Sequence, residues 1–484
     1  MKSNLYCDIL VIGSGASGSV VSNKLSSEKF DVLMVEEGPN TSTKEFKTKI
    51  SDSMKTIWRN GGISSTLSFP PIAYSEGCCL GGGTEINSAI FQSPNEDLIN
   101  DWEKKYSIKS FKYETIKNNI NHFKRKLNVS KHTFNYGKST SKFIEGAQKL
   151  NWKVSELERS QKICVGTNMC SQGCPTGAKQ SMSNTLIPDA QKNGLRILYN
   201  CKVEKILFKG SCANKVRVAI QENGNISHKF IFPKTIFLCA GAIETPFLLL
   251  KSGIKKNVGN SLSLHPTMRL AAKFPYKINS DNNTLPLYAV TEFMPHIRIG
   301  GSVFSPSTLS LSLSDNWLNN QREMKDWENF ALFYSMIKPI GLGSIKRIVG
   351  FKNPFVTFRF SETDKLLIKK GLNLVTQLAF ESGAFKVFPS IRGIESWDKK
   401  SFETEKNKIR LIFNNFSLMT IHLFGSCRIG GLKDQTCLDS FGKLHDIKNI
   451  WVADASQIPE APGINPQALI MSLALRTSEK FLQN

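Results

Sequence analysis

Two groups of residues have types and spacings that name a chemistry. The first is Gly13-Ser14-Gly15-Ala16-Ser17-Gly18, which follows an apolar run at 7–12 and precedes a second run, 31–35, that ends on Glu36. A strand, a glycine turn, a helix and a strand closed by an acid form the full setting of a dinucleotide fingerprint. Gly13 permits the tight turn, and Gly18 lets the helix pack close on the strands. Gly15 removes the side chain that would keep a pyrophosphate from the helix N-terminus, where free N–H groups and the helix dipole favour an anion. Glu36 stands where an acid accepts hydrogen bonds from ribose hydroxyls. The second group is Cys164, Cys170 and Cys174, spaced C-x5-C-x3-C and followed by Pro175. Thiolates are the preferred ligands of iron–sulfur clusters, and three of them suit a [3Fe–4S] centre. Buried thiols that merely pack a loop are the alternative. A zinc site would want a fourth ligand, and none is adjacent.

The elements that must position these residues alternate along the chain. After the strand–turn–helix–strand opening comes a second glycine-rich loop at 77–87, then a helical region at 98–127 and the cysteine loop. Runs at 196–208 and 215–220 read as a pair of strands, 229–237 as another strand, and 245–251 as a helix. Beyond residue 268 short β-rich runs (268–274, 287–293, 330–337, 355–360) alternate with turns, interrupted by one amphipathic helix at 364–381. Helical and nucleotide-domain signals return from 446 to the end. The expected fold class is a discontinuous α/β, Rossmann-like domain plus an α+β substrate domain with a mainly antiparallel sheet. The nucleotide domain is expected at 1–267, with a helical and cysteine-loop insertion at about 98–180, and is completed by 412–484. The substrate domain is expected at 268–411.

Composition narrows the class. A chain of 484 residues with 40% hydrophobic and 21% charged residues describes a globular protein. No run approaches the ~18 apolar residues of a membrane helix. The first strand begins almost at residue 1, which leaves no room for a signal peptide and predicts a cytoplasmic protein with mostly reduced cysteines. The net charge of +23 is large enough to suit an acidic partner, nucleic acid or an anionic membrane surface, but its lysines are mostly scattered and it reads as mostly compositional. Its densest stretch, 104–131, interleaves lysines with aromatics at helical spacing and reads as a solvated helical face. No nucleic-acid motif accompanies it, so no nucleic-acid partner is expected.

Taken together, these motifs resemble the glucose–methanol–choline (GMC) flavoprotein oxidoreductases over nearly the whole chain. Val35-Glu36-Glu37-Gly38 is similar to the family's adenosine site, and Gly81-Gly82-Gly83-Thr84-Glu85-Ile86-Asn87 to its loop beside the flavin. The second signature is matched by 240–246, followed by Val258-Gly259-Asn260-Ser261-Leu262 and His265-Pro266. His422-Leu423-Phe424-Gly425-Ser426-Cys427, Val452-Ala453-Asp454-Ala455-Ser456 and Gly463-Ile464-Asn465-Pro466-Gln467 complete the order. The resemblance implies FAD, with Gly13, Gly15, Ala16, Ser17 and Gly18 around the pyrophosphate and Glu36 on the ribose. It puts Gly82 and Asn87 along the pyrophosphate and flavin edge, and Val203 against the adenine. Asp454 and Ala455 would hold the middle of the cofactor, and Asn465, Pro466 and Gln467 would border the flavin ring. Ile86 stands where some members attach the flavin through a histidine, so FAD is expected without a covalent bond. The cysteine loop through Cys174-Pro175-Thr176-Gly177-Ala178 is similar to the cluster loop of FAD-dependent sugar dehydrogenase catalytic subunits.

The implied reaction is oxidation of a CH–OH donor (an alcohol, polyol or sugar). A general base must take the hydroxyl proton and a donor must steady the oxygen as hydride leaves carbon for flavin N5. The family's motif puts His422 and Asn465 in those roles. His265, also before a proline, is read as structural. A cluster would favour an acceptor other than oxygen, such as an acceptor protein or quinone. A GMC-type lyase without net redox chemistry and a non-catalytic basic binding protein are the competing readings.

Overall fold

A computed structural model describes residues 4–41, 49–131, 136–279, 287–407 and 413–484. The apolar run at the N-terminus forms β1 (Leu5–Ile12), whose interior half is fully buried. It leads through the glycine turn into α1 (Ala16–Ser27) and then β2 (Val32–Val35). Both strands lie parallel, with Ile9 opposite Val32 and Ile12 opposite Val35. The sheet grows on one side by β3 (Arg196–Leu198), parallel to β2. On the other side stand β4 (Cys201–Lys209), β5 (Cys212–Glu222) and β6 (Asn225–Leu238), in the spatial order β3-β2-β1-β6-β5-β4.

The strand β6 changes partners along its length. Its first half pairs antiparallel with β5, and its second half runs parallel to β1 and to the late strand Ile450–Val452. That late strand returns the C-terminal chain to the first sheet, as a discontinuous Rossmann-like domain requires. A continuous strand over 196–208 is replaced by β3 and β4, because Asn200 takes a left-handed backbone conformation (φ 48°) that breaks the pleat. The helical region 98–127 is likewise two helices, Glu96–Lys105 and Tyr113–Lys126. Ser107 and Ser110, both at positive φ, turn the chain between them.

The second sheet has nine strands and is mainly antiparallel. Its centre is β7 (Thr267–Lys273), β8 (Ile297–Gly301) and β9 (Phe330–Ile337), with β9 between the other two. Strands at Ser64–Ser65, Ile72–Tyr74, Val154–Glu156 and Leu418–Thr420 join it from distant parts of the chain. The expected run 355–360 instead forms Phe355–Arg359, a separate ladder with Leu342–Lys346. The amphipathic helix α2 (Glu362–Glu381) begins at a capping box in which Ser361 accepts from Asp364 N. Its Ile368, Leu372, Val375 and Leu378 pack on one face of the sheet with Leu270, Ile297, Ile299 and Phe333. On the other face Ala271, Phe330 and Leu332 pack with Leu309 and Leu313, and Arg298 reaches Gln92 and Asn465.

Two glycines of the fingerprint are demanded by the fold itself. A Cβ on Gly18 would stand 1.9 Å from Gly13 O, and one on Gly13 would stand 2.5 Å from Cys239 O. Both atoms are backbone and cannot step aside. Gly18→Ala is expected to destabilise the protein by about 1–3 kcal/mol, the range for overpacking a tight contact. A denaturant midpoint unchanged from the parent would refute that packing role.

Candidate active site

Where β1 ends, two glycine-rich turns meet. The backbone of Gly82 approaches so near that its Cβ position is 3.0 Å from Gly15 Cα. Ser14 ties the turns together, since its Oγ donates to Glu36 Oε2 at 2.6 Å and accepts from Gly81 N at 3.0 Å. The helix α1 starts at Gly15 with no side-chain cap, which leaves its first N–H groups free of a protein partner there. A Cβ on Gly15 would meet nothing within 4 Å, and the same is true of Gly83. Open space over an uncapped helix N-terminus, floored by glycine backbone, fits a pyrophosphate.

The other expected cofactor residues are held in different ways. Glu36 is buried and already accepts from Ser14 N at 3.0 Å and Gly38 N at 2.9 Å, so it braces the turn. Asp454 is also buried and fully engaged. It accepts from Gly241 N (2.8 Å) and Thr245 Oγ1 (2.5 Å) on one oxygen, and from Ser456 N (2.9 Å) on the other. Asn87 donates to Gln467 Oε1 at 2.7 Å, joining the second glycine loop to α3 (Gln467–Leu482), whose N-cap is Pro466. Val203 sits on β4 in the core, and Ala455 packs between the two cores.

The cysteines do not form the ligand set that their spacing predicts. Cys164, Cys170 and Cys174 line one small cavity with Arg159 and Lys179. Yet among the described residues no three His, Cys, Asp or Glu side chains are grouped to hold a metal. Arg159 Nη2 donates to Cys170 Sγ at 3.0 Å, and Cys174 Sγ lies 3.3 Å from Thr176 Oγ1. The loop has a different visible task. Lys179, fully buried, donates to Cys170 O and Glu85 O at 2.6 Å and to Asn87 O at 3.3 Å, so it staples the cysteine loop to the glycine loop. The expectation of a non-oxygen acceptor rested on the cluster and loses that support.

His422 and His265 are brought together by a short ladder in which Ser263–Leu264 pairs with Leu423–Phe424. Their rings meet through the Nδ1 atoms at 3.1 Å. The amide of Gly463 donates to His265 Nε2 at 2.9 Å. On the other side His422 Nε2 faces Asn465 Nδ2 at 3.3 Å, and Arg298 Nη1 donates to Asn465 Oδ1 at 3.0 Å. Arg298 also donates to Gln92 Oε1, which accepts from Asn465 N at 3.2 Å.

These partners order the protons. A guanidinium only donates, so Asn465 must show its oxygen to Arg298 and its NH2 to His422. Gly463 N–H fills the lone pair of His265 Nε2, so a neutral His265 carries its proton on Nδ1 and gives it to His422 Nδ1. The proton of a neutral His422 then lies on Nε2. The site at rest therefore presents two converging N–H donors, His422 Nε2 and Asn465 Nδ2, to any oxygen that enters between them. Desolvation, reinforced by the Arg298 charge, lowers the pKa of His422 to about 3, and burial drives His265 well below its usual range. Both imidazoles are neutral at ordinary pH.

His265, Arg298 and Gln92 were not among the site residues expected from sequence. For Arg298 a signal existed, since an arginine between Ile297 and Ile299 interrupts an apolar strand. His265 stood in a motif already noted, beside Pro266.

Comparison with known proteins shows the family and the fold. The family model for GMC oxidoreductases matches residues 54–267 in its N-terminal part and 352–474 in its C-terminal part. The chain belongs to the GMC oxidoreductase family, and its fold is that of the family's FAD-binding oxidoreductases. It is 40% identical over 481 residues to the uncharacterised GMC-type oxidoreductase y4nJ of Sinorhizobium fredii, covering 99% of this chain and 95% of that protein. It is 24% identical to long-chain-alcohol oxidase FAO1 of Arabidopsis thaliana, over 99% of this chain and 67% of that one. The fold superposes on pyridoxine 4-oxidase from Mesorbium loti with a TM-score of 0.76 at 14% identity, covering 99% of each chain. Formate oxidase gives 0.76 at 13% identity, over 99% of this chain and 98% of that one. No helix among the described residues is long and apolar enough to cross a membrane.

Because a Cβ at Gly15 meets nothing in the protein within 4 Å, Gly15→Ala separates cofactor binding from folding. The flavin-free variant is expected to melt with the flavin-free parent, while its affinity for added FAD falls by ~10²-fold or more, as a blocked anion site implies. Undiminished FAD binding, followed by quenching of flavin fluorescence, would remove Gly15 from the site.

Proposed function

We propose that this chain oxidises a CH–OH donor with non-covalently held FAD, and that His422 and Asn465 handle the hydroxyl group. The observation that carries the reading is the convergence of His422 Nε2 and Asn465 Nδ2, backed by His265 and oriented by Arg298. Bound FAD supplies the two-electron acceptor for the hydride that leaves the carbinol carbon. Gly15 and Gly82 line the opening proposed for its pyrophosphate, with Asn87 and Gln467 beside it. Ile86 offers no nitrogen for a covalent link.

Asn465 Nδ2 donates to the hydroxyl oxygen and steadies the negative charge that grows on it as His422 takes the proton, and the new His422 Nε2–H then donates to the same oxygen. Proton removal uses the other tautomer of the ring pair. In that form His422 has released its Nε2 proton to water and taken the shared proton on Nδ1, while His265 has gained a proton from water on Nε2, so each ring keeps one proton and stays neutral. The exchange gives up the hydrogen bond from Gly463. Two buried donors, Gly463 N–H and His265 Nε2–H, then lack an acceptor at about 1–3 kcal/mol each, offset in part because the bare His422 Nε2 accepts from Asn465 Nδ2. His422 is then the base, Asn465 the oxygen-binding donor and His265 the residue that sets the tautomer. The long-chain-alcohol oxidase among the relatives supports an alcohol as the donor class.

His422→Ala is expected to retain bound flavin while anaerobic flavin reduction by a turned-over alcohol slows by ~10²–10⁴-fold. Reduction at the parent rate would reject the assignment. The pH profile gives a second check. The neutral ring is the competent base, and it persists down to about pH 3. The reduction rate constant is therefore expected to show no acid limb near the usual histidine value of ~6.5. A sigmoidal fall centred there would mean that the base is an exposed imidazole.

A further inference from the structure

The sheet face from which Arg298 projects carries two arginines with no ion-pair partner among the described residues, whereas Lys273 on the same face is paired with Glu323 and Asp326. In an antiparallel ladder, residues directly opposite one another point to the same face. Met336 on β9 stands opposite both Thr267 and Arg298, and Tyr334 stands opposite both Arg269 and Gly300. Arg298 and Arg269 therefore share one face, opposite to the face that α2 covers. The Tyr334 ring lies over Gly300, where a Cβ would stand 2.7 Å from it.

Arg298 is 1% exposed. Its Nη1 is used by Asn465 and Gln92, but Nε and Nη2 have no hydrogen-bond partner. Those two nitrogens form the edge of a guanidinium that grips a carboxylate with parallel N–H bonds. The same chain shows that edge occupied elsewhere, where Arg196 Nε and Nη2 hold Asp31 at 2.8–3.0 Å. Neither Arg298 nor Arg269 has an ion-pair partner among the described residues, and burial alone acts on Arg269, lowering its pKa to about 10. Lys338, whose side chain comes within 3.8 Å of the Cβ position of Gly463, adds a third positive charge. Glu460 and Asp101 both act on Lys338, and Glu460 is itself held by Lys105 and Tyr106.

An enclosed cation without a counter-ion is strongly unfavourable. A neutral alcohol would leave that imbalance in place, whereas an anionic substrate removes it. We propose that the substrate is a hydroxy acid, whose carboxylate lies on the free edge of Arg298 with Arg269 as the second cation, and whose hydroxyl meets His422 and Asn465. The inference rests on the oxidation of a CH–OH group argued above and names the class of molecule that carries that group. Arg298 thereby both orients Asn465 and selects the substrate.

The test mixes the flavin-bound protein anaerobically with ω-hydroxy acids and with primary alcohols of the same chain lengths, and follows flavin bleaching. At the best length the acid is expected to surpass its alcohol in kcat/KM by ~10²-fold, as a bidentate charged contact implies. Arg298→Lys, which keeps the charge but loses the fork, and Arg269→Met should each cut that preference by ~10-fold or more. Calorimetric titration with hexanoate should show binding to the parent protein, weakened in both variants, whether or not either variant turns over. Equal rates for acids and alcohols would overturn the inference while leaving the oxidation reading intact. So would variants that slow both series by one factor, or hexanoate binding that neither variant weakens. Silence of every acid and alcohol tested would sink the oxidation reading and this inference with it.

Discussion

Withdrawal of His422 from water is the constraint on which the rest of the site depends. An imidazole in water spends part of its time charged near neutral pH, and a charged ring can take no proton. Here desolvation and the nearby Arg298 hold the ring neutral. The same enclosure makes every remaining polar contact count, because an unpaired N–H in such a place has no water to turn to. That is why the array from Arg298 through Asn465, His422 and His265 to Gly463 leaves so little freedom in where each proton sits. A donor at each end forces two donors to face one another in the middle, and an entering oxygen relieves that opposition.

The surrounding fold is arranged to keep this array still. His265 and His422 lie beside a two-stranded ladder, which sets their separation from backbone geometry. Arg298 projects from the middle of a nine-stranded sheet whose other face is sealed by α2. On the cofactor side, Ser14 and Lys179 fasten the two glycine loops and the cysteine loop to one another. The cysteine loop thus shapes the glycine loop through a buried ammonium and backbone carbonyls. Two of its three sulfurs are engaged separately, Cys170 by Arg159 and Cys174 by Thr176.

Much of the nucleotide domain was readable in the chain because its signals are local. The turn at Gly13–Gly18 needs particular backbone freedom within six residues, and its flanking strands announce themselves as short apolar runs. The breaks in regular structure were less visible. Asn200 splits one expected strand and Ser107 and Ser110 split one expected helix, all through left-handed backbone conformations that composition does not reveal. The cysteines misled for a related reason. Spacing along a loop shows which thiols could reach one ion, and the folded loop decides whether they point together.

By itself, the amino-acid sequence determined the dinucleotide turn, the alternation of elements, the motifs that place the chain in its family, and His422 and Asn465 as candidates. These follow from short-range backbone requirements and from patterns of burial along single elements. Only the tertiary structure decided that His265 faces His422, that Gly463 orders their protons, and that Arg298 and Arg269 share one sheet face without an acid to answer them. Those facts join residues some 30 to 200 positions apart, Arg269 to Arg298 and His265 to Gly463. Strand register and ring orientation set such contacts, and neither is written in the local order of residues.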